Sequence, residues 1–180
     1  MRQRAICCGI ILMASVAVAA QTRQGYLLFT DPGKRFSIEF PREWKWMIIS
    51  GSGEPIATFI QPKSEAAVVV ERFRLKQPLR PDDITDLFAE IEVDYLKENQ
   101  RGVSDVVARV VAREGLRAAV VDYSRPGLNE AERVRMYSFP VGEDLYRVTC
   151  MALTSRFPRY DADFEAIVST LKSEEKLRQP

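Results

Sequence analysis

The stretch VVARVVAREGLRAAVVDYSRPGLNEAERVRMYSFPVGEDLYRVTCMA, residues 106–152, decides the fold of this chain. Turn-forming residues, at Glu114-Gly115, Pro126-Gly127 and Gly142, divide it into four segments: 106–113, 117–123, 132–139 and 145–152. Each segment has the length of a strand and is bounded by turn residues, which is typical of consecutive strands. Because short turns join neighbouring antiparallel strands, we predict a four-stranded antiparallel meander.

Two helix candidates flank this meander along the chain. In the first, which starts near Ile84, apolar residues recur with the spacing of an amphipathic helix, at Leu87, Phe88, Ile91, Tyr95 and Leu96. Asp82 or Asp83 is expected to cap its first turn. In the second, the same spacing returns at Tyr160, Phe164, Ile167, Val168 and Leu171. The two helices are predicted to cover the faces of the sheet.

Five further segments precede the first helix and have strand character: 26–29, 36–40, 44–49, 56–60 and 66–73. Gly51-Ser52-Gly53 is expected to form the turn between the third and the fourth of them. The whole pattern predicts an α+β domain, with a central antiparallel β-sheet flanked by two main amphipathic helices.

The N-terminus has the pattern of a secretory signal peptide. Arg2 and Arg4 precede an uncharged, apolar stretch, and small residues follow it up to Ala19 and Ala20. The apolar run is shorter than the ~20 residues that cross a bilayer. We therefore expect residues 1–20 to be cleaved after Ala19 or Ala20. The mature protein is then a periplasmic or secreted domain, residues 21–172, with a charged C-terminal tail, residues 173–180, and no membrane-spanning segment.

Composition excludes several functions. The 26 basic and 25 acidic residues nearly cancel, whereas a nucleic-acid-binding domain normally has a basic excess. The chain contains no histidine, so Ser-His-Asp and Cys-His catalysis and histidine-based zinc sites are excluded. Cys7 and Cys8 leave with the signal peptide, and Cys150 has no second cysteine with which to form an intramolecular disulfide. Nothing in the sequence predicts a cofactor or a metal.

Two segments resemble a known superfamily. The segment Phe36-Ser-Ile-Glu-Phe-Pro-Arg-Glu-Trp44 is similar to the opening strand and Pro-x-x-Trp turn of the PsbP/Mog1-like superfamily. The segment 145–152, followed by a helix with Phe164 and Ile167, is similar to its last strand and C-terminal helix. The resemblance covers residues 26–171 and implies an α/β/α sandwich without catalytic residues. Metal sites proposed in plant members use histidine in part, which this chain lacks.

Four residues are candidates for a partner or ligand surface: Trp46, Arg133, Arg135 and Arg147. Arg133 and Arg135 lie on one strand candidate and Arg147 on the next, and adjacent strands are ~5 Å apart. The three are predicted to line one basic sheet face, either solvated or anion-binding. Trp46 is expected to point the same way as Trp44, into the core or onto a contact surface.

These observations favour an exported, non-enzymatic accessory module that docks on a larger envelope or membrane-associated protein. The alternative is a carrier of a small anionic or lipid-like ligand, held in a pocket between sheet and helix. A third hypothesis is a hydrolase. It would use either paired carboxylates or a Ser-x-x-Lys pair. The carboxylate candidates form two clusters: Asp82, Asp83 and Asp86, and Asp161, Asp163 and Glu165. The Ser-x-x-Lys candidates are Ser169 with Lys172 and Ser173 with Lys176.

Overall fold

The strands and helices follow the predicted order. The computed structural model describes residues 23–173, with gaps at 34, 50–55, 64, 114–115 and 142. The strands in this part are β1 (Tyr26–Thr30), β2 (Phe36–Pro41), β3 (Lys45–Ile49), β4 (Ile56–Ile60), β5 (Ala66–Arg74), β6 (Ser104–Arg113), β7 (Leu116–Arg125), β8 (Glu132–Val141), β9 (Asp144–Leu153) and β10 (Lys172–Ser173). Helix α1 is Asp86–Asn99 and helix α2 is Phe157–Ser169.

Some sequence predictions fall outside the described residues. These are the signal peptide with Ala19 and Ala20, the tail beyond Ser173, and the turns at Gly51-Ser52-Gly53, Glu114-Gly115 and Gly142. They remain predictions.

A seven-stranded antiparallel sheet forms the centre of the fold. Its strand order is β3-β4-β5-β9-β8-β7-β6, so the meander β6 to β9 is confirmed as consecutive neighbours. β9 also pairs with β5 over the full length of β5, with Val68 opposite Cys150. The α+β class is therefore confirmed.

One face of the sheet, called here the α2 face, carries the main core. Phe36, Ile38 and Phe40 alternate along β2 and are buried, because every second side chain of a strand points to the same side. β2 pairs with β1 and β10 in a small second sheet, of which the sequence did not predict β10. Trp44 and Phe164 meet beneath it with ring centroids 6.3 Å apart.

The opposite face, called the α1 face, is covered by α1 over β6 and β7. The N-cap of α1 is Thr85, whose hydroxyl accepts a hydrogen bond from the Phe88 N–H at 3.4 Å. The predicted capping role of Asp82 or Asp83 is therefore wrong. Asp83 instead accepts from the Arg80 N–H at 2.7 Å and closes the 3-10 turn that precedes the helix.

Candidate functional site

Arg135 occupies the centre of a charged network on the α2 face. Its Nε donates to Asp122 Oδ1 at 2.8 Å, and its Nη1 donates to Asp161 Oδ1 at 2.5 Å and to Glu165 Oε1 at 3.2 Å. Arg109 is a second basic partner of the buried Asp122, to which its Nη1 donates a hydrogen bond. Burial alone lowers the pKa of Arg135, but the hydrogen bond to Asp122 carries that pKa above its ordinary value. Arg135 therefore ties α2 to the sheet and is not a free anion-binding group.

Tyr137 completes this network. Its hydroxyl donates to Glu165 Oε1 at 2.6 Å. Burial and this hydrogen bond both raise the pKa of Tyr137, so the phenol keeps its proton and stays a donor. Perturbed pKa values often mark active sites, but here burial and a structural hydrogen bond account for the raised pKa of Tyr137.

Arg147 does not share a sheet face with Arg133 and Arg135, so the predicted basic face is wrong. The register of β8 and β9 places Cys150 opposite Arg135 and Ser138 opposite Arg147. Positions 135 and 138 point to opposite sides because they differ by an odd number of residues. Arg147 therefore lies on the α1 face, where its Nη2 donates to Glu92 Oε2 at 2.8 Å.

Arg133 and Trp46 occupy partly open positions. Arg133 is half-buried on the α2 face and forms no ion pair with any residue in the described part of the chain. Trp46 lies opposite Phe59 and packs edge-on against Phe29, with centroids 5.1 Å apart, yet 52% of its surface is exposed. Its role in a contact surface remains a prediction.

Cys150 is fully buried in the main core, on the same face as Tyr146, Val148 and Ala152. Burial raises the pKa of its thiol well above the ordinary value. Since the thiolate is the reactive form, we expect the native mature protein, which starts at residue 20 or 21 and retains Cys150 alone, to resist iodoacetamide at mildly alkaline pH and to react fully in concentrated urea. Intact-mass measurement distinguishes the two states. Equally fast labelling with and without urea would contradict this expectation.

Several of the hydrolase candidates are engaged in structural bonds. Ser169 Oγ donates to the Ala166 carbonyl at 2.8 Å, whereas the Ser173 side chain and Lys176 lie outside the description. Asp163 accepts from the Tyr26 hydroxyl at 3.1 Å, and Asp161 and Glu165 bind Arg135. Among the described residues, no group of three or more Cys, Asp or Glu side chains is arranged to hold a metal ion.

A half-open cleft of about 320 Å³ lies between the C-terminal half of α1 and the sheet. The guanidinium of Arg147 lies on its wall between two rings, 4.9 Å from the centroid of Phe73 and 5.2 Å from that of Tyr95. Tyr123 and Met151 add further apolar surface. The Nε of Arg147 has no hydrogen-bond partner among the described residues. The ligand-carrier hypothesis requires a pocket between sheet and helix, and this cleft is the candidate for it.

Helix α1 presents an apolar row to solvent. Leu87, Ile91 and Tyr95 are 65%, 56% and 49% exposed, although they belong to the amphipathic pattern from which a helix covering the sheet was predicted. Ala89, Glu92 and Leu96 are buried instead. The sequence contains a sign of this exposure: the apolar residues of α1 span an arc around the helix that is wider than one sheet can bury.

Comparisons with known proteins identify the fold. A scan of protein-family models gives no match, and neither does a search of curated proteins. The solution structure of cyanobacterial PsbP (CyanoP) from Synechocystis matches with a TM-score of 0.63 at 10% identity, over 93% of this chain and 97% of that one. LpqN, involved in cell envelope biogenesis of Mycobacterium tuberculosis, matches with a TM-score of 0.54 at 10% identity, over 82% and 89%.

A third match is a crystal structure from Bacteroides thetaiotaomicron, with a TM-score of 0.60 at 17% identity. It covers 88% of this chain but 52% of that one, so the present chain spans about half of its length. A seven-stranded antiparallel sheet between α1 on one side and α2 with a small sheet on the other defines an α/β/α sandwich. The chain has the fold of the PsbP/Mog1-like superfamily, as its two sequence segments indicated.

Proposed function

We propose that this protein is an exported, non-enzymatic accessory module that binds a larger envelope or membrane-associated protein. The observation that carries the proposal is the exposed apolar row Leu87, Ile91 and Tyr95 on a well-formed helix. Contiguous exposed apolar surface on a soluble domain marks interaction sites. An envelope role for LpqN, which shares the fold, supports the proposed location.

The absence of a catalytic role is supported by the state of the polar groups. The carboxylates Asp122, Asp161 and Glu165 are engaged with Arg135, and the cysteine is buried.

Within the described residues, no helix has both the length and the apolar character needed to cross a bilayer.

Photo-crosslinking in the cells that make the protein tests this proposal. A photoreactive residue at Ile91 is compared with one at Arg159, an exposed position on α2. We expect position 91, but not position 159, to form a product with an envelope or membrane-associated protein, and Leu87→Ser to reduce its yield. The crosslinked chain should have lost its leader after Ala19 or Ala20. Absence of a product at position 91, identical products at both positions, or a retained leader would each count against the proposal.

The cleft supports a second candidate, a carrier of a small anionic or lipid-like ligand. The guanidinium of Arg147 and the rings of Phe73 and Tyr95 offer one charged group beside apolar surface, in a cleft that polar side chains also line. Apolar surface with a few polar groups is common in small-molecule sites. Native mass spectrometry of protein purified from its own host should then show an added mass that unfolding releases. A single apo mass would exclude this candidate.

A further inference from the structure

A second row of side chains runs along α1 beside the apolar row. Asp86, Glu90, Asp94 and Glu98 recur at every fourth position, and all four are exposed. Four residues advance an α-helix by about 6 Å and slightly more than one turn, so side chains with this spacing form a continuous line. None of the four carboxylates pairs with a base among the residues that the structure describes. We call them the acidic row.

The acidic row and the apolar row lie side by side. Each apolar member directly follows an acidic one, as in Asp86-Leu87, Glu90-Ile91 and Asp94-Tyr95, so the two rows are offset by about 100° around the helix axis. Together they make a strip about 12 Å long from Leu87 to Tyr95. Lys97 is the only base of the helix. The strip therefore has one negative edge and one apolar edge.

Both edges are unfavourable without a partner. Like charges at positions i and i+4 destabilise a helix, and three large apolar side chains remain in contact with water. The helix is nevertheless held in this orientation from beneath, because the buried Glu92 binds Arg147 and Ser138. The fold thus fixes the strip on the surface, where a partner with matching chemistry would relieve both costs.

We propose that this strip of α1 is the docking surface for a cationic amphipathic helix of the partner protein, in which a line of Lys or Arg lies beside a line of apolar residues. The proposal rests on the proposed function and specifies its partner. Charge complementarity selects this occupant. Anionic lipid attracts basic and not acidic segments, and a second copy of the chain presents the same acidic row.

Tyr95 links the strip to the cleft. Its ring belongs to the apolar row, lines the cleft and packs on the guanidinium of Arg147. An apolar side chain of the docked helix can therefore enter the cleft beyond Tyr95, which would give the contact a buried anchor.

Selection from a display library of random peptides on the purified mature protein tests the chemistry without assuming the partner. We expect the enriched peptides to carry net positive charge, with apolar residues three or four positions apart. Glu90→Lys should weaken their binding about tenfold, because it places like charges in contact. Leu87→Ser/Ile91→Ser should abolish binding. Glu43→Lys, the same charge change at an exposed position outside α1, is the matched control and should leave affinity unchanged.

Several outcomes would overturn this inference. They are the absence of enrichment, enrichment of neutral or acidic peptides, or equal effects of Glu90→Lys and Glu43→Lys. Sedimentation of phosphatidylglycerol vesicles with the protein, lost in Ile91→Ser, would assign the strip to a membrane. A dimer in sedimentation velocity that Ile91→Ser dissociates would assign it to a second copy.

The two proposals can fail separately. A specific crosslink at position 91 combined with neutral or acidic peptides would retain the accessory function and reject the cationic helix. Cationic peptides that need the strip, without any crosslinked protein in cells, would retain the surface chemistry and reject the accessory function. Circular dichroism of every variant establishes that the fold is intact.

Discussion

Arg135→Ala is expected to lower the free energy of unfolding by about 3–5 kcal/mol, the usual cost of removing one partner from a buried ion pair. The substitution takes the common base from Asp122, Asp161 and Glu165. Asp122 dominates the loss because it is buried, whereas Asp161 and Glu165 are partly screened by water. Arg109 still contacts Asp122, which places the expected value at the lower end of this range.

Urea titration followed by circular dichroism and tryptophan fluorescence measures this loss. Arg133→Ala is the matched control, since Arg133 lies two residues away on the same face of β8 and forms no ion pair with a described residue. Its effect should stay within about 0.5 kcal/mol, as for other substitutions outside structural networks. Equal midpoints for the two variants would show that the Arg135 network contributes little to stability.

Glu92→Gln is expected to cost about 3–5 kcal/mol by the same mechanism on the opposite face of the sheet. The side chains of Glu92 and Arg147 are only 8% and 11% exposed, so the substitution leaves a buried guanidinium without its counter-charge. Ser138 Oγ, which donates to Glu92 at 3.0 Å, can still bond to the amide. The loss in free energy of unfolding therefore reports mainly the removal of the negative charge of Glu92, because glutamine keeps the shape of the side chain.

Glu90→Gln provides the comparison for this substitution, because Glu90 lies two residues earlier on the exposed side of the same helix. We expect Glu90→Gln to raise the free energy of unfolding by no more than about 1 kcal/mol, because it relieves the repulsion from Asp86 and Asp94. The double variant Glu92→Gln/Arg147→Met should recover part of the loss, since removing both members of a buried pair is less costly than removing one. If the double variant is less stable than the sum of the single variants implies, the pair is not the cause.

The rotation of α1 about its axis follows from the same ion pair. The apolar residues of the helix span so wide an arc that either Leu87 and Ile91 or Ala89 and Leu96 could face the sheet. Glu92 lies on the side of Ala89 and Leu96, and its buried partner Arg147 comes from β9. A contact between residues 55 positions apart thus exposes the apolar row, and local periodicity carries no information about it.

The sequence by itself determined most strands and both helices of this protein. Strand-length segments separated by turn residues are a local property, and they identified β6 to β9 and the class of the fold. The absence of histidine, a matter of composition, excluded Ser-His-Asp and Cys-His catalysis and histidine-based zinc sites. The segment from Phe36 to Trp44 indicated the PsbP/Mog1-like fold, because its apolar residues and its Trp reflect how that segment itself packs.

Only the tertiary structure decided which side chains share a face. A strand's alternation is internal to that strand, and a shift of one residue in pairing reverses every side chain of its neighbour. The register of β8 and β9 therefore separated Arg147 from Arg133 and Arg135, which the sequence had grouped together. As a result, Arg135 contacts α2 and Arg147 contacts α1. The contact of Arg147 with α1 leaves the strip of that helix facing solvent.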